Sequence, residues 1–265
     1  MNAPLLVTGG TGNIGSRVVP LLRSAGRDIR ILSRHPHAAE PGIQHVAADT
    51  VAGHGLAAAL EGVDVVLHLA GGAKGDDIAA RNLSVAAREA GVQHLVLISV
   101  IGADRMPIGY FRAKADAERV IAESGVPWTV LRAAQLHDFV LPIARSMSRM
   151  PLPPVPGGLR FEPVHGDEVA ARLAELALGA PAGRVADLAG PEVLDVPQLM
   201  ATFTEATGAR RRRGRLPVRL PGAVGRAYRA GENLAGTGAQ RGIRTWSEFL
   251  SERDFLELDC VPLDA

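Results

Sequence analysis

Apolar residues along this chain gather in short runs, separated by stretches in which they recur every three or four positions. The runs are PLLVT, DIRIL, VDVVLHLA, HLVLIS and PWTVLR, with a weaker one at IQHVAAD. A strand with one face in water alternates apolar and polar residues. These runs do not alternate, so they predict strands covered on both faces, as in a parallel sheet between two layers of helices. The intervening stretches carry the helical period. In the first, Ile14, Val18, Leu21 or Leu22, and Ala25 share a face, and Gly26 stands where the helix should stop. A later helix ends at REAG, with Gly91, and leads into HLVLIS. Strand and helix in regular alternation predict an α/β fold.

After Arg132 the pattern becomes irregular. MPLPPVPGGLRFEPV holds five prolines and two glycines in fifteen residues, which predicts a loop with a short extended segment. A helix over 166–178, a strand-like RVADLAG, a helix around 196–207 and a helix-like TWSEFLSERD follow. The expected organisation is a core over residues 1–150 and a smaller region over 151–265 laid across the end of the sheet, the two packed as one structural domain.

Composition narrows the function classes. At 265 residues the chain can bury one sizeable core. A formal net charge of +1 leaves no global field to draw it to nucleic acid or to an anionic membrane, so the expected partner is a small molecule. The basic run Arg210 to Arg213, followed by Arg215, reads as a solvated edge. The single cysteine, Cys260, allows no internal disulfide and no cysteine metal cluster. The opening MNAPLLV has no basic region or long apolar segment, and no later run approaches membrane-spanning length, so a cytoplasmic location is expected. No sequence feature speaks to oligomeric state.

The first turn carries the clearest chemistry. Thr8-Gly9-Gly10-Thr11-Gly12-Asn13-Ile14-Gly15 joins the first predicted strand to the first predicted helix, with Gly9, Gly12 and Gly15 three apart. Backbone N–H groups at a helix start face an anion. Glycine there permits positive φ, close approach of a diphosphate and close packing of helix on strand. This predicts a dinucleotide cradle. About twenty residues on, an NAD site usually offers a carboxylate to the ribose hydroxyls. Here Ser33-Arg34-His35 offers none; Arg34 can fork onto a 2′-phosphate with Ser33 as a second donor, which predicts NADP(H) in preference to NAD(H). Asp49 and Thr50, after the third strand, either meet the adenine edge or cap the next helix. Leu69, Ala70 and Gly71, with Gly72, place small residues where a ribose could lie against the backbone.

Tyr110 and Lys114 are the candidates for catalysis. The chain has two tyrosines, and among its 29 basic residues only Lys74 and Lys114 are lysines. Four residues apart on a helix, the pair shares a face, where the ammonium is expected to lower the phenol's pKa and let Tyr110 act as general acid toward a carbonyl receiving hydride. Lys114 is also able to reach the ribose of the nicotinamide half. His165, Asp167 and Glu168 read as a helix cap, His35, His37 and His45 lack zinc spacing, and no metal site is expected. His68 reads as a buried strand histidine and Trp128 as core. Phe139, Leu141, Met147 and Met150 are candidates for either an apolar pocket wall or core.

TGGTGNIG, Ser33-Arg34, HLVLISVIGAD, GYFRAK and GVPWTVLRAAQLHDF, in this order, resemble the atypical short-chain dehydrogenase/reductases, in their NmrA-like NAD(P)H-binding branch. The resemblance continues through FEPVHGDEVAARLAELAL and LAGPEVL to RTWSEFL. It implies a Rossmann-type doubly wound parallel sheet, a nicotinamide cofactor over the carboxyl ends of the strands, and a small C-terminal region covering the substrate. It also implies that the backbone of Ala133, Ala134, Gln135 and Leu136 approaches the nicotinamide. One position departs from the superfamily: the serine expected after the fifth strand falls on Val100, with Ser99 one residue earlier on the opposite face. Either Ser99 reaches the site through an irregular strand end, or another group such as His137 holds the oxyanion. The expected function is an NADPH-dependent reductase of a carbonyl or quinone on a small, hydrophobic molecule. The alternatives are a non-catalytic NADP(H)-sensing regulator and an epimerase or dehydratase using the cofactor transiently.

Overall fold

The six apolar runs become six consecutive parallel strands: β1 (Leu5–Thr8), β2 (Ile29–Ser33), β3 (Ile43–Ala47), β4 (Val65–His68), β5 (His94–Val100) and β6 (Trp128–Ala133). They are seen in a computed structural model that describes residues 3–35, 40–72, 75–208, 214 and 216–253. Strands β1 and β4 are buried at every position, whereas β3, the weakest of the runs, is half exposed because it forms an edge of the sheet. Helices α1 (Gly15–Ser24), α2 (Leu56–Leu60), α3 (Asp76–Glu89), α4 (Gly109–Ala122) and α5 (His137–Arg149) follow β1, β3, β4, β5 and β6 respectively.

Strand order is β3-β2-β1-β4-β5-β6, so the chain starts in the middle of the sheet, builds outward to β3, then crosses back to β4. The reversal between β1 and β4 is a topological switch point, where helices on either side diverge and leave a crevice at the carboxyl ends of the strands. Helix α1 packs on one face through Val18, Val19 and Leu22, each fully buried methyl-rich side chain contributing roughly 1.5–3 kcal/mol. The resolved choice is Leu22, since Leu21 is exposed, as is Ala25, which caps the helix before Gly26 turns the chain at φ +78°. On the opposite face α2, α3 and α4 close a second core with Leu56, Leu60, Leu83 and Ile121.

The remaining elements are β7 (Pro154–Pro156), β8 (Arg160–Phe161), α6 (Gly166–Leu178), β9 (Gly183–Arg184), β10 (Leu188–Ala189), β11 (Leu194–Asp195), α7 (Val196–Thr207), β12 (Leu216–Val218), α8 (Gly222–Ala230), β13 (Gln240–Arg241) and α9 (Trp246–Ser251). The proline-rich stretch is loop with two short strands, and the segments at 166–178 and 196–207 are helices with those bounds. The RVADLAG run supplies β9 and β10, which pair in succession with β6, and β13 extends the same nine-stranded sheet. A third core lies beyond the sheet, where Val140 and Ala144 of α5 meet Leu199 and Phe203 of α7 and Trp246 and Phe249 of α9. Arg210 to Arg213, Arg215, His37, Lys74 and Cys260 lie outside the described residues.

Candidate cofactor cleft and acid–base site

The three glycines of the first turn do three different jobs. Gly9 turns the chain at φ +69°, and a Cβ on it would lie 2.8 Å from the backbone nitrogen of Ala70. A Cβ on Gly15 would lie 2.2 Å from the Gly9 carbonyl oxygen and 2.5 Å from the Gly10 Cα, so its absence lets α1 start directly against the turn. Gly12 is exposed, together with Thr11 and Asn13, at a helix start with no side-chain cap and no acidic residue in its first turn. That start therefore offers its N–H groups and its dipole to an anion.

This turn forms one end of a cleft of about 700 Å³ at the switch point, lined also by Ser33, Arg34, Asp49, Thr50, Ala70, Gly71, Gly72 and Asp76. Arg34 is exposed and lines the cleft; no carboxylate stands beside it at the end of β2, and its charge acts on Asp49 after β3. Asp49 stands nearby. Its Oδ1 accepts the N–H groups of Val51 (2.8 Å) and Ala52 (3.0 Å), which hold its carboxyl below the ordinary range, so it fastens the turn after β3 while lining the cleft. An exposed N–H turn, an exposed guanidinium, a glycine-walled cleft and the switch-point location fit a dinucleotide.

Several expected cofactor contacts lie elsewhere. Thr8 is fully buried; its hydroxyl bonds His68 Nδ1 at 2.6 Å and accepts the Ala70 N–H at 3.2 Å, so it shapes the cleft from behind. Gly10 packs on Ile31, Ile14 is core, and Leu69 is tied by its N–H to the Thr8 carbonyl. Asn13 turns its side chain to Arg17, which also pairs with Asp138 of α5 (3.1 Å) and Asp167 of α6 (3.0 Å). Backbone of the segment after β6 is committed as well: Ala133 accepts from Ile101, Ala134 donates to Leu188, and Gln135 accepts from Val164. The buried Oε1 of Gln135 has no hydrogen-bond partner among the described residues.

The acid–base residues depart furthest from expectation. Tyr110 and Lys114 do share α4, but the ammonium is not spent on the phenol. Lys114 Nζ stands 2.8 Å from Asp76 Oδ2, and both side chains are enclosed. Burial, with the Asp76 carboxylate adding to it, pushes the Tyr110 pKa up rather than down. Ser99 does not replace the missing serine. Its hydroxyl donates to Glu118, whose carboxylate is forked by Arg132 at 2.8 and 2.7 Å, with Asp104 2.8 Å from the third guanidinium nitrogen. Val100 is buried with Met106 and Phe111.

His137 is no loop residue. It opens α5 and is fully buried beside Trp246 and Phe249, with centroids 5.7 and 4.8 Å away. Burial, reinforced by His165, lowers its pKa to about 4, and the ring is enclosed by aromatic neighbours without access to solvent. His165 does cap α6, accepting from Asp167 N–H, but Asp167 and Glu168 also fasten Arg17 and the chain at Ile243 and Arg244. Phe139 is 61% exposed while Leu141 and Met147 pack on the third core. His68 is buried in β4, and Trp128 packs partly buried on the second core. Among the described residues, no three His, Cys, Asp or Glu side chains converge as a metal site requires. Nor is any helix among them long and apolar enough to cross a membrane.

Asp76, Glu118, Arg132 and Arg17 escaped sequence reasoning because each finds its partner on a distant element. The one usable signal was Arg132, a charge ending an otherwise apolar run, where a buried guanidinium demands paired acids.

A parallel sheet opening at its switch point into a glycine-walled, arginine-tipped cleft defines a dinucleotide-binding α/β protein. The model of a family described as NAD(P)H-binding matches residues 9–149, and the chain belongs to that family. It is 30% identical over 216 residues to the NAD(P)H azoreductase of Xenophilus azovorans, covering 77% of this chain and 74% of that one. Quinone oxidoreductase 2 of Escherichia coli is 27% identical over 213 residues, with the same two coverages, 77% and 74%. The solved structure of the NADPH-dependent quinone oxidoreductase of Escherichia coli complexed with NADPH has the same fold, with a TM-score of 0.78 at 23% identity over 94% of this chain and 99% of that one.

Proposed function

We propose that the protein is an NADPH-dependent reductase of a small, electron-poor conjugated acceptor, a quinone or an azo compound. The observation that carries the choice of acceptor is the engagement of the acid–base set: Ser99 is held by Glu118, and Lys114 by Asp76. A simple ketone receiving hydride becomes an alkoxide and needs a strong acid and an oxyanion donor. A quinone or azo group delocalises the incoming charge and needs far less help. Relatives named as an azoreductase and a quinone oxidoreductase support this reading.

Bound NADPH supplies the hydride. The Thr11–Asn13 turn receives the diphosphate, and Arg34 with the Ser33 hydroxyl takes the 2′-phosphate, which favours NADPH over NADH. Lys114, buried against Gly71 of the cleft wall, holds ribose hydroxyls. Tyr110 is partly exposed on α4 and stays protonated; its hydroxyl delivers one proton to the acceptor oxygen or nitrogen, so hydride and proton together give the hydroquinone or hydrazine.

The test is steady-state oxidation of NADPH and NADH by the purified protein against benzoquinones, azo dyes and unconjugated ketones. Turnover with quinone or azo compound, faster with NADPH, and little with ketones is the expected result. Preferential ketone turnover would overturn the acceptor class. Tight NADPH binding with no acceptor consumed would make the protein a sensor.

A further inference from the structure

Asp76 stands at the start of α3, where the helix dipole alone would favour an acid. Its carboxylate nevertheless makes two specific contacts at the inner wall of the cleft. Oδ1 accepts the Gly72 N–H at 2.8 Å, and Oδ2 lies 2.8 Å from Lys114 Nζ. The two residues are 5% and 6% exposed, so this is an enclosed pair and not a surface ion pair. The ammonium crowds the turn so closely that a Cβ on Gly71 would sit 2.7 Å from Nζ and 3.3 Å from Asp76 Oδ2. Gly71, Gly72 and Asp76 all line the cleft that the glycine turn and Arg34 also line. One helical turn back along α4, Tyr110 lies under the influence of the Asp76 carboxylate.

We propose that Asp76 is a positioning residue: it fixes the Lys114 ammonium beside Gly71, facing the ribose of a bound dinucleotide, and withholds it from Tyr110. The ribose half of this assignment rests on the NADPH reading of the cleft; the tyrosine half stands without it. The charged group that acts on the phenol is Asp76 from α3, while Lys114, on the phenol's own helix, is paired with that carboxylate. His68 of β4, beside Lys114, carries no charge near neutral pH, because burial and Lys114 lower its pKa to about 4. The phenol therefore serves as a proton donor and is a poor base, which suits reduction rather than oxidation.

Two tyrosines in the chain make a direct test possible. In a Tyr228→Phe background, ultraviolet titration of tyrosinate reports Tyr110 alone. Asp76→Asn removes the carboxylate and releases the ammonium, so the midpoint should fall by about one unit or more. The same variant should raise the Kd of NADPH and of NADH by an equal factor, about tenfold, because the ribose is common to both. A midpoint that stays or rises overturns the assignment. Should Asp76→Asn fail to fold with its ammonium buried and unpaired, the double variant Asp76→Asn/Lys114→Gln keeps a neutral hydrogen-bonding pair; its midpoint should also fall below the parent's, and one at or above the parent's overturns the assignment. A lowered midpoint without any acceptor turnover leaves Asp76 assigned and removes the reductase reading. Turnover with an unmoved midpoint does the reverse.

Discussion

Backbone geometry builds the β1 side of the cleft, and side-chain ion pairs fix the charged groups of α4 behind it. On the β1 side the essential positions are glycines whose missing Cβ atoms let Gly9 approach Ala70 and α1 start against the turn. On the α4 side, Asp76 claims Lys114, while Glu118 gathers Ser99 and Arg132. A backbone cradle recognises what all dinucleotides share and tolerates change in the side chains around it. An ion-pair network instead decides which side chains remain free for chemistry, and here it pairs the Lys114 ammonium with Asp76, which leaves the proposed donor Tyr110 with little activation.

Substitutions that break one side without the other should separate the two. The largest effect is expected from Arg132→Met, which leaves the largely enclosed Glu118 carboxylate without its guanidinium; urea unfolding should show a loss of about 3–5 kcal/mol. A loss under about 1 kcal/mol would mean the network behaves like a surface ion pair. Gly15→Ala forces a methyl against the Gly9 carbonyl and should cost about 1–3 kcal/mol, with NADPH binding weakened as the turn shifts. Unchanged affinity would show that the cradle does not need this close packing.

Arg34→Ala should raise the Kd of NADPH about 10- to 100-fold, the worth of charge-assisted hydrogen bonds, while NADH changes by less than about twofold. Equal losses for both cofactors would remove the 2′-phosphate assignment. Ser99→Ala sits at the small end: one hydroxyl to Glu118 is lost, about 1 kcal/mol of stability, and quinone turnover should stay within about twofold of the parent. A large fall in turnover would return Ser99 to the catalytic set.

The same contrast explains what could be read from the chain alone. Six strands were legible because burial on both faces leaves a continuous apolar run, and the glycine turn was legible because positive φ and close approach admit one residue type. Spacing also placed Tyr110 and Lys114 on one helix face. It carried no information on Asp76, which reaches Lys114 from another helix, and so the expected lowering of the phenol's pKa had the wrong sign. Ser99 fails for the same reason, its direction being set by Glu118. His137 was legible as following β6 but not as buried, because the aromatic residues that enclose it, Trp246 and Phe249, come from α9 at the far end of the chain. Short α2 and α8 left no lasting period to read.

The central claim is that hydride transfer here proceeds to an acceptor needing only modest proton assistance from Tyr110. The direct test compares NADPH-driven turnover of Tyr110→Phe and the parent on one quinone and one unconjugated ketone. The account predicts a loss of about tenfold or less with the quinone, and a fall of about a hundredfold or more in whatever ketone activity the parent shows. A hundredfold loss with the quinone would contradict it.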